Sequence, residues 1–249
     1  MFHDYFNKIR TSLQVIEEKE AVSIERAAVA LADSIENGKI IHVFGCGHSH
    51  MMAEEVFYRA GGLVPVRPIF IEDLMLHRGG TRSSALERTN GLAREFMADQ
   101  DIQKGDVVIV VSTSGRNPVP IDVALLSKER GAYVIGLTSR KASNGQSSRH
   151  KEGKYLYDVV DQVIDNHVEV GDAVIQDTEN QVSFGSISTV IGMGILNGIT
   201  VETIHQLIER GITPPVFKSG NVDGSDESNQ ALIERYKSRI PLLEGNQDF

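Results

Sequence analysis

The sequence holds a single cysteine, Cys46, which excludes an intramolecular disulfide and fits a reducing compartment. It is short of positive charge, with 25 Lys and Arg against 34 Asp and Glu, a formal charge of −9. General nucleic-acid binding relies on a basic surface that neutralises phosphates, so no nucleic-acid partner is expected. Long hydrophobic runs are also missing. The longest candidate, residues 187–201, is too short for a membrane span and carries Ser188, Thr189, Asn197 and Thr200. It reads as a buried helix, and no membrane partner is expected. Residues 1–10 hold Asp4, Lys8 and Arg10 without a continuous apolar region. A targeting segment is therefore not expected, and the cytoplasm is the expected location.

What is present is the composition of a folded chain, 41% hydrophobic and 24% charged over 249 residues. At roughly 150 residues per domain, that is one large domain or one domain with an appendage. The first 37 residues carry helical spacing, in Phe6, Ile9, Leu13 and Ile16 and then in Ile24, Ala28, Leu31 and Ile35. Glu20 interrupts the stripe, which predicts two helices or one helix whose apolar face rotates. Asn37-Gly38 supplies the stop. Strands are predicted at 39–44, 64–71, 106–111, 133–138 and 159–164, with helices at 49–60 and 120–130. This alternation predicts an α/β domain with a central parallel sheet and right-handed crossovers. Within 74–103, too long for a plain connection, residues 83–97 read as a helix. Residues 139–154, rich in Ser, Gly, Arg and Lys, read as a mobile surface loop. The expected organisation is one domain over 1–217, including the helical extension 1–37, and a polar tail 218–249 with an amphipathic patch at 231–240.

Open parallel sheets bind ligands beyond the carboxyl ends of their strands, so the residues after each strand carry the chemistry. Gly45-Cys46-Gly47-His48-Ser49 follows the first strand. Its glycines allow a tight turn and close backbone approach, while Ser49 can cap the next helix and offer donors to an anion. It reads equally as a plain capped turn. Ser112-Thr113-Ser114-Gly115-Arg116-Asn117-Pro118 follows the strand at 106–111. Three hydroxyls and an Asn before a helix form a nest for a phosphate, without the Lys of a nucleoside-triphosphate loop.

The pair of loops resembles the sugar isomerase (SIS) family of phosphosugar-binding domains, over about residues 39–210. The resemblance implies a flavodoxin-like three-layer α/β sandwich, a phosphorylated sugar as ligand, and a homodimer or homotetramer. It also implies that Gly47, His48, Ser49, Ser112, Thr113, Ser114, Gly115 and Asn117 bind the substrate, with Asn117 standing where many members have Ser or Thr. The activity implied first is an aldose–ketose isomerase of the phosphoheptose isomerase type, working through an enediol. Aligned from Ser49, Glu55 falls where those isomerases carry His and Arg59 where they carry Glu, so their metal site is in doubt. Glu55 is the candidate base, or one half of an ion pair with Arg59. His205 resembles the histidine that their C-terminal helix delivers, in some cases to a neighbouring subunit. His167, with Glu169 and Asp172, stands after the last strand as a further candidate or as part of a polar loop.

Two other readings stay open. Gly79-Gly80, Ser84-Ala85-Leu86-Glu87 and Ser114-Gly115-Arg116-Asn117-Pro118 resemble the muramic acid 6-phosphate etherases, with Glu87 as the general acid–base. The acidic run expected after that glutamate is replaced by Arg88-Thr89-Asn90-Gly91. A non-catalytic sensor of sugar phosphate is the other. No organic cofactor is expected, and a divalent metal stays open. His48 and His50 alternate as metal ligands do, but no firm third ligand accompanies them.

Overall fold

Glu20 divides the N-terminal residues into two helices, α1 (Phe2–Lys19) and α2 (Ala21–Glu36). Its backbone departs from helical angles at φ −107° and ψ 4°. Its buried carboxylate accepts from the Asp165 amide at 3.3 Å and meets His167 Nε2 at 2.8 Å, which draws the junction onto the end of the sheet. Of the two predicted possibilities, the chain takes two helices.

The computed structural model describes residues 1–244. Downstream of α2 come β1 (Ile41–Gly45), α3 (Met51–Val56), β2 (Val66–Ile69), α4 (Gly80–Glu87), α5 (Ala93–Met97), β3 (Val107–Val111) and α6 (Pro118–Glu129). They are followed by β4 (Tyr133–Thr138), α7 (Arg140–Asn144), α8 (Leu156–Val159), β5 (Gln162–Asp165), β6 (Ile175–Asp177), β7 (Val182–Phe184), α9 (Ser188–Glu209) and α10 (Ser225–Tyr236).

The central sheet has the order β2-β1-β3-β4-β5 and is parallel throughout, with Ile41 level with Val66 and Val107, and Ile109 level with Ile135. Strand side chains alternate between faces. Ile41, Val43, Val107, Ile109 and Val111 pack with Leu31 and Ile35 of α2 and with Ile191, Ile195 and Ile199 of α9. Phe44, Val108 and Val110 pack on the opposite face with Ala93 and Met97 of α5 and Val119 and Val123 of α6. Both faces are thus covered, which is why these strands read as unbroken apolar runs. This is the predicted α/β three-layer sandwich. The order reverses between β1 and β3, so their carboxyl ends open a crevice at the switch point.

Several expectations change at the edges. The helix predicted from 49 to 60 is α3 alone, ending where Phe57 turns extended at ψ 136°. The 83–97 helix is two, α4 and α5, parted by the turn at Gly91. The 159–164 strand begins at Gln162, because 156–159 close into α8 with Asp158 accepting from the Tyr155 amide at 2.9 Å. Residues 139–154, read as a mobile loop, contain α7 and are tied down. Ser139 Oγ accepts from the Ala142 amide at 2.9 Å and donates to the Val168 carbonyl at 2.7 Å. Ser143 donates to the Ser114 carbonyl at 2.9 Å. The antiparallel hairpin of β6 and β7 was not anticipated, since its strands have three residues each and β7 is exposed throughout.

The segment set apart as a polar tail packs against the sheet where its strands begin. Ile233, Tyr236, Ile240 and Leu243 bury against Ile40, Val64 and Phe217. Arg239 clasps Asp101 at 2.8 Å and the buried Asp106 at 2.8 Å. Residues 245–249 of that segment lie outside the described residues. Among the described residues, no helix is long and apolar enough to cross a membrane.

Candidate functional site

The first wall of the crevice is the turn after β1. Gly45 must lack a side chain: a Cβ there would lie 2.5 Å from both the carbonyl carbon and oxygen of Ser49. The Ser49 amide donates to the Cys46 carbonyl at 2.9 Å, and Gly47 sits at φ +55°. Together these fold Ser49 back over the strand end. Among the described residues its hydroxyl has no hydrogen-bond partner, and His48 beside it is exposed. His50 is turned inward, bonded through Nδ1 to the Gly47 carbonyl.

The second wall is the turn after β3. The buried Ser112 donates its amide to the Leu137 carbonyl at 3.0 Å, and its hydroxyl accepts from the Gly115 amide at 3.3 Å. Gly115 has φ +56°, and a Cβ on it would lie 2.6 Å from Thr138 Oγ1 and 2.9 Å from Ser143 Oγ. Asn117 is the N-cap of α6, with Pro118 pre-set for the first helical turn. Pro118 and Pro120 carry no N–H, so the first turn of α6 offers the Val119 amide, and the half-exposed Thr113 and Ser114 stand beside it at the same crevice, an arrangement suited to a phosphate.

Between the walls stands Glu87, at the last residue of α4. Burial pushes its carboxyl pKa up, while the Asn117 side chain and the Arg88 and Arg149 charges pull it down. Its charge in turn adds to the burial that raises the Cys46 thiol well above its ordinary value, which sets Glu87 close to the β1 turn as well. Asn117 also accepts from Arg149 at 3.0 Å.

The other predicted residues are distributed elsewhere. Glu55 pairs with Arg59 at 2.9 Å and accepts from Asn197 Nδ2 at 3.0 Å, so it serves the contact between α3 and α9. His205 is exposed near the end of α9, 17 residues beyond Ser188. At 1.5 Å per residue it lies roughly 25 Å down the helix. Arg210 just past it bonds Asp33 at 2.7 Å and Glu36 at 2.9 Å, where the strands begin. His167 has φ +53°, binds Glu20, and stands after β5, two strands from the switch point. Asp172 caps α9 through the Ile187 and Ser188 amides, each at 3.0 Å, and Glu169 pairs with Lys141.

Residues 166 and 139–149 contribute more than their sequence announced. Asn166 donates to Thr113 Oγ1 at 3.2 Å, and Ser143 braces the back of the Ser114 turn. A Ser- and Arg-rich segment after a strand was the available signal. Among the described residues no three His, Cys, Asp or Glu gather as metal ligands. A groove of about 1000 Å³ runs between α1 and residues 167–176, with His167 on its wall. Lys141 pairs there with Glu169 and the Met1 ammonium with Asp4, while Lys8 and Lys19 also line it, and it lies away from the switch point.

A parallel sheet covered by helices on both faces, with glycine-bent, hydroxyl-bearing turns at its switch point, is an open α/β fold of the ligand-binding class. A model of the SIS domain matches residues 4–139, and the chain belongs to that family. It is 57% identical over 243 residues to a UPF0309 protein of Halalkalibacterium halodurans, covering 98% of this chain and 97% of the relative. A UPF0309 protein of Geobacillus kaustophilus is 54% identical over 248 residues, covering 99% of each. Among solved structures, a phosphoheptose isomerase from Neisseria gonorrhoeae superposes with a TM-score of 0.53 at 16% identity, over 81% of this chain and 95% of that one. The Vibrio vulnificus NanR protein complexed with ManNAc-6P gives 0.51 at 16% identity, over 93% and 68%. These two likenesses establish the fold.

Proposed function

We propose that the protein binds the phosphate of a phosphorylated sugar between the β1 and β3 turns, and that Glu87 moves the proton on the carbon beside the sugar's open-chain carbonyl. The observation that carries this reading is the Glu87 carboxyl, half-buried between the two turns with its pKa raised by burial. A carboxyl tuned upward can accept a carbon-bound proton and return it near neutral pH. Ser112, Thr113, Ser114, Gly115 and Asn117, with the Val119 amide, hold the phosphate in this reading, and Gly47, His48 and Ser49 close over it. The ligands named for the solved relatives, a phosphoheptose and ManNAc-6P, are of the proposed class.

Removing that proton gives an enediolate. Its return to the neighbouring carbon completes an aldose–ketose isomerisation, the activity we assign first. Loss of an ether oxygen from the next carbon would complete an elimination instead, the second reading, with Glu87 again as the acid–base. Glu55 is held by Arg59 and Asn197, and His167 by Glu20, so neither is part of the proposed proton path. His205 enters it only through a second copy. A homodimer or homotetramer is part of the proposal, supported by the exposed Phe2, Phe6 and Leu13 along α1. A monomer in light scattering at micromolar concentration would count against it. The proposed location is the cytoplasm, in line with the single buried thiol.

The test is proton NMR of sugar phosphates in deuterated water. Wild-type protein is expected to erase the signal at carbon 2 of one of them, and Glu87→Gln to bind that sugar without erasing it. Equal exchange by both proteins would overturn the role of Glu87.

A further inference from the structure

Three arginines crowd the rim of this crevice in a chain whose net charge is −9. Arg149 Nη1 donates to Asn117 Oδ1 at 3.0 Å, and the Arg149 amide donates to the Arg116 carbonyl at 2.9 Å. Asn90 fastens the same strand of loop from the other side, donating to the Arg149 carbonyl at 3.3 Å. Arg116 bonds Gln146 through Nη1, yet its Nε is buried without a partner. Arg88 immediately follows Glu87 and is exposed. Among the described residues, none of the three has a carboxylate within ion-pair distance. Burial and the nearby charges of Arg116 and Arg88 push the Arg149 pKa down, with Glu87 pulling against them. Three cations gathered around one carboxylate, Glu87, leave an excess of positive charge that a ligand of the opposite sign would offset.

In the proposed reading the phosphate is held by the Thr113 and Ser114 hydroxyls and the Val119 amide of the β3 turn, and the arginines line the rim on the side of Arg88 and Arg149. We propose that Arg88, Arg116 and Arg149 bind a second anionic group on the same ligand, so that the substrate is a phosphorylated sugar also bearing a carboxylate or a second phosphate. Guanidinium groups suit either, since both accept paired N–H donors. This inference rests on the crevice being the phosphate site, and it narrows the substrate class from any sugar phosphate to one with two anionic ends.

Isothermal titration of the full chain with four probes tests it. The probes are inorganic phosphate, glucitol 6-phosphate, 6-phosphogluconate and glucitol 1,6-bisphosphate, the last three open chains of equal length. Wild-type protein is expected to bind 6-phosphogluconate or the bisphosphate about tenfold or more tighter than glucitol 6-phosphate. Preference for the acid identifies a carboxylate, and preference for the bisphosphate a second phosphate. Arg88→Gln, at an exposed position, is expected to bring the ratio close to one while leaving inorganic phosphate affinity unchanged. Binding of inorganic phosphate and all three open chains without preference would overturn this inference and leave the phosphate site standing. The second anionic site is likewise overturned, and the phosphate site kept, if Arg88→Gln weakens inorganic phosphate as much as the doubly anionic ligands. Binding of none of the four, phosphate included, would overturn both readings.

Discussion

Gly45→Ala tests the crevice most directly, because it adds one methyl group at the point where two pieces of backbone touch. The new Cβ would stand 2.5 Å from the Ser49 carbonyl carbon and oxygen, where ordinary contact begins at 3.4 Å. The Ser49 turn must therefore retreat by about 0.9 Å, the difference of those two distances. Overfilling of this kind costs about 1–3 kcal/mol in a packed region. The effect on ligand binding is larger in proportion. Hydrogen bonds to phosphate hold only over roughly 0.5 Å of donor–acceptor distance, so a retreat of that size breaks the contact from the Ser49 side. A bond to a charged group is worth about 1.5–3 kcal/mol, which corresponds to roughly 10- to 150-fold in affinity. Titration calorimetry with inorganic phosphate reads the binding, and urea unfolding reads the stability. Gly198→Ala is the control: on the exposed face of α9, its Cβ meets nothing within 4 Å. It is expected to stabilise the helix by up to about 1 kcal/mol and to leave phosphate binding alone. A folded Gly45→Ala protein with wild-type phosphate affinity would refute the argument that this turn forms one wall of the site.

Ser112→Ala with Ser114→Ala is expected to abolish sugar-phosphate binding while circular dichroism still reports a folded chain; retained affinity would remove the second wall from the site. Glu87→Gln is expected to stabilise the ligand-free protein progressively as pH rises from roughly 4, because a carboxyl whose pKa is raised on folding favours the native state at low pH and loses that contribution as it ionises. Parallel urea midpoints of wild type and variant between pH 4 and pH 8 would contradict it. Arg239→Gln leaves Asp106 buried with His42 and two backbone amides as its remaining partners, and is expected to cost about 3 kcal/mol. Its hydrogen bonds to His42, Arg239 and the Gln103 and Ile40 amides hold the Asp106 pKa far below the ordinary carboxylate range despite burial, which opposes them. The stability those contacts contribute is therefore complete above roughly pH 4 and fades as pH falls. The variant should lose less stability than wild type on acidification, read by thermal melts from pH 6 downward.

The fold was legible where burial on both faces imposed a simple pattern. Val107–Val111 and Tyr133–Thr138 are apolar because helices cover each side of the sheet, and the strands fall where those runs stand. The break at Glu20 was visible because a charged residue sat in a core stripe. The edges were harder. The β6–β7 hairpin buries Ile175 but exposes all of β7, so its residues carry no alternating signal. The final segment looked polar because only one narrow stripe, Ile233, Tyr236 and Ile240, meets the domain, and its charged Arg239 is used for anchoring on Asp106.

The site divides along the same physical line. The two turns stood out because a tight strand-to-helix turn at a switch point needs glycine where backbone or side chains press close, as at Gly45 and Gly115. The choice among Glu55, Glu87 and His205 could not be made that way, since each is a polar residue on a helix and only tertiary packing says what it faces. Asn197, 142 residues away, turns Glu55 into a contact between helices. Asn117, 30 positions beyond Glu87, stands beside its carboxyl at the switch point. The same holds for Arg149. Its guanidinium reaches the site because residues 139–154 are pinned by Ser143 and Asn90 and do not wander. A loop judged by composition as mobile thereby becomes the wall that sets the charge of the crevice. That charge, more than the fold the chain shares with many sugar-phosphate proteins, decides which ligand it can select.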